Sequence, residues 1–414
     1  MKWTVRPGEP IDAPRRMKRG RDPRPGRLAL VGALVAISVL SGAARSAPSA
    51  ERAERQGQQR ETSTRMLAAT GVFRLGDSYR TASSYGRYPY VFVSRHFART
   101  AARLPGTSLV YMSGTSIQRS WSTGVSYADA DANGWLLRSS DGAHIAGLNG
   151  SLIADIGDRG YQDRFLTNVS TFLRRTGSEG VFIDDVLGDP AIQTNGVYPS
   201  KYPTPEAWER AMSSFVSRVG AGLKARGHYV VVNMAKFLSG DGRSDDGTFA
   251  RQFAESLAPS VSGIAVEFWL QNPLDLGTRA IGSRWNEFWT GWQSIVSVAQ
   301  GSGVDFFGIM YGSSRDVRAM RFGRGSFLLD WDGRGGAFAF HVTDRSDPYH
   351  EAWVRQLGLP LERKRARAPG VWQRQFERGL VIVNAKSRSV NLRVNGIRRT
   401  IAGTDALFVR LSRR

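Results

Sequence analysis

Eight short apolar runs, each followed by a polar or glycine-containing break, constrain this chain more than any other feature. They are 89–94 (PYVFVS), 108–114 (SLVYMSG), 151–157 (SLIADIG), 180–186 (GVFIDDV), 229–235 (YVVVNMA), 263–269 (GIAVEFW), 305–312 (DFFGIMYG) and 326–331 (SFLLDW). They are rich in β-branched and aromatic residues and too continuous for half-exposed alternating strands, so they read as parallel strands covered on both faces. Amphipathic helical patterns fall between most of them, including 162–175 and 204–226, the latter opened by the capping Thr204 and then Pro205. About 30 residues per unit over roughly 250 residues is the scale of a (β/α)8 barrel. No G-x-G-x-x-G follows any strand, which removes the usual dinucleotide site.

Around residue 360 the rhythm changes to short alternating strands with turn residues such as Asn395-Gly396 between them. The expected division is therefore a barrel over 85–360 and a small all-β, sandwich-like domain over 361–414. Residues 1–27 carry nine basic residues, followed by the uncharged Leu28–Leu40 and a small-residue cluster, SGAARSAPSA. That order is the pattern of an export signal over 1–50, with Met17 as an alternative start. Thirteen helical residues reach only ~20 Å against a ~30 Å hydrocarbon core, so no stable membrane span is expected, although a signal anchor remains open. Residues 51–84 read as a linker, and the expected location is secreted or at the cell surface.

The 414 residues contain no cysteine, which excludes disulfides, thiolate zinc sites and cysteine nucleophiles. The formal charge of +21 sits at the ends. Residues 1–65 hold 14 Lys+Arg and 6 Asp+Glu, and residues 361–414 hold 14 and 3. The middle is nearly neutral, with 29 against 27. The charge therefore points to an anionic cell-wall surface as a possible partner; no nucleic-acid motif accompanies it.

In a (β/α)8 barrel the chemistry sits at the C-terminal strand ends. Acids gather there: Asp155 in the third run, Asp184 and Asp185 in the fourth, Glu267 in the sixth and Asp330 in the eighth, with Asn233 in the fifth. Two carboxyl groups across one bond are what glycosidic hydrolysis needs. Alternation sends Asp184 and Asp185 opposite ways, so at most one of them enters the pocket from the strand. An acid at a strand end equally well caps the next helix or pairs with a buried arginine. Trp269, Trp331 and Tyr311 are the aromatics placed to pack on sugar faces, while Trp289 and Trp292 lie in a helical pattern. The five histidines lack H-E-x-x-H or other metal spacing, and no G-x-S-x-G elbow is present. No cofactor or resident metal is expected.

At GVFIDDV, with DIGD upstream and VEFW downstream, the chain resembles the glycoside-hydrolase TIM barrels of exported bacterial proteins. It is similar to hypothetical glycosyl hydrolase family fifteen, and more distantly to endo-α-1,4-polygalactosaminidases, over roughly 85–412. A second motif of that resemblance runs through Leu357, Gly358 and Pro360, then Trp372, Arg374, Phe376, Gly379, Val381, Val383 and Asn384. The resemblance implies Asp184 as the strand-4 carboxylate and Glu267 as its strand-6 partner; the positions at strand ends place Asp155, Asp185, Asn233, Trp269, Tyr311, Asp330 and Trp331 around the substrate. One departure is Glu179, where relatives often carry Asp. The expectation is an exported glycoside hydrolase acting on a polysaccharide. The alternatives are a non-catalytic polysaccharide-binding barrel and a metal-dependent hydrolase.

Overall fold

The computed structural model describes residues 74–76, 88–119, 124–147, 150–191, 193–234, 247–271, 277–342 and 356–410. The expected export signal and most of the expected linker lie outside these residues. The strands, numbered in chain order, are β1 (Arg74–Gly76), β2 (Tyr90–Val93), β3 (Thr107–Ser113), β4 (Ser116–Ile117), β5 (Leu152–Ile153), β6 (Gly180–Asp184), β7 (Tyr229–Asn233), β8 (Gly263–Glu267), β9 (Asp305–Gly312) and β10 (Ala337–Val342). Eight of them form one parallel sheet in the order β1-β2-β3-β6-β7-β8-β9-β10, and β1 comes back beside β10. The result is a nearly closed (β/α)8 barrel.

The helices are α1 (Ala98–Ala101), α2 (Tyr127–Ala132), α3 (Arg159–Thr176), α4 (Pro205–Lys224), α5 (Thr248–Leu257), α6 (Gly277–Gly301) and α7 (Val317–Asp330). Local chemistry sets their ends. Asp158 accepts from the Tyr161 amide at 3.0 Å to start α3, Thr204 caps α4 ahead of Pro205, and Gly177 ends α3 at φ 74°.

Two of the eight apolar runs are not barrel strands. Leu152–Ile153 pairs antiparallel with Ser116–Ile117, in an excursion that leaves the barrel after β3. The 326–331 run lies in α7 and its C-cap, Trp331. That helix is buried on all sides, because one face meets the barrel and the other the C-terminal sheet, so its sequence is as continuously apolar as a core strand. The two places are taken by β1, inside the segment read as linker, and by β10. Because one run is lost and one gained ahead of β6, the ranks of β6 to β9, fourth to seventh, are unchanged.

Inside the barrel, strand alternation builds layers. The middle is filled by Phe92, Leu109, Phe182, Val231, Ala265 and Phe307, with Phe92 and Phe182 ring centroids 4.7 Å apart. At the floor, the Tyr90 and Tyr229 hydroxyls donate to Asp305. Two residues above the middle layer come Tyr111, Asp184, Asn233, Glu267 and, via Ile309, Tyr311.

The C-terminal region contains a four-stranded antiparallel sheet in the order β11-β12-β13-β16: β11 (Arg365–Ala368), β12 (Val371–Phe376), β13 (Gly379–Asn384) and β16 (Asp405–Arg410). One face of it packs on α7 and the other on the hairpin β14 (Val390–Val394) and β15 (Ile397–Ile401). Residues of the second sequence motif hold these layers. Arg374, 8% exposed, donates to the carbonyls of Leu328, Trp331 and Glu362. Asn384 donates to the carbonyls of Arg388, Ile401 and Ala402, which seats the hairpin.

Candidate active site at the barrel mouth

A cavity of about 230 Å³ opens at the C-terminal ends of the strands. Phe92, Phe182 and Ile309 form its apolar floor, while Tyr111, Asp184, Glu267, Tyr311 and His341 bring the polar atoms. Each arrives by the same rule: it occupies an inward position at the end of a strand.

Asn233 organises the pair of acids. Its Nδ2 donates to Asp184 Oδ1 at 2.8 Å and to Glu267 Oε2 at 2.9 Å, and its Oδ1 accepts from the Glu267 amide at 3.2 Å. Two carboxylate oxygens sharing one nitrogen lie at most about 6 Å apart, close to the separation of a double-displacement pair. Asp184 also accepts from the Asp185 amide at 2.9 Å and from the Tyr111 hydroxyl. Glu267 accepts in addition from the Tyr311 hydroxyl. Tyr311 is itself fixed by Gln271, which accepts from its amide at 2.5 Å and donates to its carbonyl at 3.3 Å.

Burial governs the electrostatics. Desolvation raises the Asp184 carboxyl, and the donors Asn233, Asp185 and Tyr111 oppose it. Desolvation and then the Asp184 charge push Glu267 up to about 7, against hydrogen bonds from Tyr311 and Asn233. Asp185 is raised to about 7 by burial and by Asp184. Three carboxyls crowded in low dielectric cannot all ionise cheaply.

Both acid-bearing strands end on a left-handed residue, Asp185 at φ 62° and Phe268 at φ 56°. The turn at Asp185 aims its side chain at the Ser113 and Ser116 hydroxyls, 2.7 and 3.1 Å away. The turn at Phe268 stacks that ring on Tyr311 at 4.8 Å. It also carries Trp269 out of the barrel: the indole is 0% exposed, donates to the Trp292 carbonyl at 2.7 Å and lies over Gly308. Simple alternation would have kept Trp269 on the Glu267 side, and the positive φ breaks it.

The remaining sequence candidates lie elsewhere. Asp155 is buried in the excursion after β3, where it accepts from Lys201 at 2.5 Å and from Tyr202. Asp330 ends α7 and accepts from Lys364 and Gln293. Trp331 is 0% exposed, with its indole donating to the Gly335 carbonyl. Both follow from α7 being a helix. Glu179 sits at the opposite end of the barrel, accepting from the Ser108 amide and hydroxyl. Tyr111, Phe268 and His341 were not singled out from sequence. Tyr111 was legible as the inward residue two after Leu109, whereas His341 lies on the strand the sequence reading missed. Among the described residues, no group of three or more His, Asp or Glu side chains is arranged to hold a metal ion.

Residues 111–380 match the model described as Hypothetical glycosyl hydrolase family 15, which is more than half of the sequence. The chain belongs to this family. The matched span runs from Tyr111 through the β12–β13 turn, so it takes in both acids and the motif around Arg374. No curated protein matches the sequence. Among solved structures, the cycloalternan-forming enzyme from Listeria monocytogenes in complex with a pentasaccharide substrate is 8% identical, with a TM-score of 0.46 over 86% of this chain and 42% of that one. A noncanonic maltogenic α-amylase, AmyB, from Thermotoga neapolitana is 7% identical, with a TM-score of 0.42 over 87% and 95%. An α-amylase from Geobacillus thermoleovorans complexed with acarbose is 8% identical, with a TM-score of 0.40 over 85% and 91%.

Proposed function

We propose that this protein hydrolyses a glycosidic bond of a polysaccharide with retention of configuration, using Asp184 and Glu267 as its carboxyl pair. The observation that carries the reading is the bridge from Asn233 Nδ2 to both acids, which fixes a short separation between them. Glu267, raised to about 7, holds the proton for the leaving oxygen. Asp184, with three donors already pointed at its carboxylate, attacks the anomeric carbon. The glycosyl–Asp184 ester is then opened by a water whose proton goes to Glu267, which restores both groups. Tyr311 and Tyr111 orient the two acids, and the apolar floor of Phe92 and Phe182 excludes water beneath the sugar. Asp185 supports the site through its amide, and Asn233 through its bridge.

The basic N-terminal segment, apolar stretch and small-residue cluster support export and action outside the cell. The test is a panel of polysaccharides with the wild-type chain, Asp184→Asn and Glu267→Gln. Turnover should fall by about 10³-fold or more in each variant. Azide should rescue both alanine variants, giving a glycosyl azide of retained configuration with Glu267→Ala and of inverted configuration with Asp184→Ala. Turnover indifferent to both substitutions would remove the assignment.

A further inference from the structure

The hairpin β14–β15 is the outermost layer of the C-terminal region, and its two faces differ sharply. Val390, Val394 and Ile401 face the sheet and pack there. On the other face, Arg393 and Arg398 stand directly opposite each other in the antiparallel register, and both are exposed. Beside them Thr400 donates to Asn391 across the strands at 2.7 Å. Arg367, exposed on β11, donates to the Arg393 carbonyl at 3.0 Å, which draws a third guanidinium to the same place.

Like charges placed opposite each other on a sheet repel; among the described residues no carboxylate is paired with either guanidinium, and Arg393 donates only to the Gly396 carbonyl at 3.4 Å. The three acids of residues 361–414 are all engaged elsewhere: Glu362 with Arg365 at 3.6 Å, Glu377 with the Leu359 amide at 3.1 Å, and Asp405 with Arg321 at 2.6 Å. The platform is also stiff. Asn395 and Gly396, at φ 51° and 79°, close a tight turn, and Asn384 clamps the hairpin from below.

We propose that this face is a docking site for an anionic polysaccharide whose charges are carboxylates. Guanidinium forks match carboxylates bidentately, and paired arginines across two strands suit a charge repeated along a chain. No aromatic residue lies between 388 and 404, so the face has no platform on which nucleic-acid bases could stack. The docked polymer differs from the substrate, since the cleft is lined by carboxyls and the hairpin by guanidiniums. The site serves adhesion, and it stands whether or not the cleft cleaves glycans as proposed above.

The experiment is affinity electrophoresis and calorimetry of the full chain with polygalacturonate at several salt concentrations. Neutral dextran and duplex DNA at equal charge concentration are the comparisons. The double variant Arg393→Gln/Arg398→Gln should bind polygalacturonate at least about tenfold more weakly and with a shallower salt dependence. Its melting temperature should be no lower than that of the wild type, while the control Arg210→Gln, exposed on α4, should bind normally. Dextran should not bind, and DNA should bind more weakly than polygalacturonate. Absence of polygalacturonate binding, equal affinity for DNA, or a double variant that binds like the wild type would each overturn the proposal.

Discussion

The residues at the mouth are held in a state that favours protons, and two predictions follow from that. Glu267 and Asp185 are both pushed up to about 7 by burial and by the neighbouring Asp184. A carboxyl raised in the folded state stabilises the protein most below its unfolded value, and that contribution is lost as pH rises through the folded value. Thermal stability should therefore decline between about pH 4.5 and 7, by about 1–3 kcal/mol per group. Glu267→Gln should flatten the decline, as read by calorimetry across that range. With Glu267 as the proposed acid, the alkaline limb of the rate profile should fall near pH 7, where Glu267 loses its proton. Asp185 donates its backbone amide to Asp184. Asn tolerates a left-handed φ and retains an acceptor for Ser113 or Ser116, whereas Ala does neither. Asp185→Ala should thus lower kcat by roughly tenfold or more and Asp185→Asn by less, with KM little changed in both.

At the scale of elements, two packing contacts decide where the site residues end up. Gly308 on β9 leaves room for the Trp269 indole, whose nearest ring atom lies 2.5 Å from where a Cβ would stand. Gly308→Ala should cost about 1–3 kcal/mol in denaturant unfolding. Arg374 is buried against three carbonyls of the barrel side and the β11 approach. Arg374→Ala strands those acceptors and should cost about 2–4 kcal/mol, with kcat near normal in the fraction that stays folded.

These contacts also explain what could be read in advance. Continuous apolar runs announced β2, β3 and β6 to β9, because each is covered on both faces. The same signal misread α7, since a helix between two layers is equally apolar. β1 has three residues, and β10 begins in a Gly-rich stretch, so neither stood out. Asp184, Asn233, Glu267 and Tyr311 were legible because alternation holds up to the last strand residue. Trp269 was not, because Phe268 turns the chain one residue beyond the strand.

Across the whole molecule, charge and function are separated in space. A barrel of nearly balanced charge encloses a cluster of carboxyls, and the surplus of arginine lies in the terminal regions. The small sheet is bonded to the barrel through Arg374 and through Arg321 to Asp405, so the basic hairpin is carried on a fixed mount instead of a tether. Membership in hypothetical glycosyl hydrolase family 15 gives this arrangement its chemical class, and the stereochemical course proposed for it rests on the Asn233 bridge between Asp184 and Glu267. The central claim is tested by proton NMR of the anomeric centre during the first minutes of cleavage of a defined glycan. Asp184 and Glu267 acting as a double-displacement pair predict that the first product carries the configuration of the bond that was cut. An inverted first product would contradict that account.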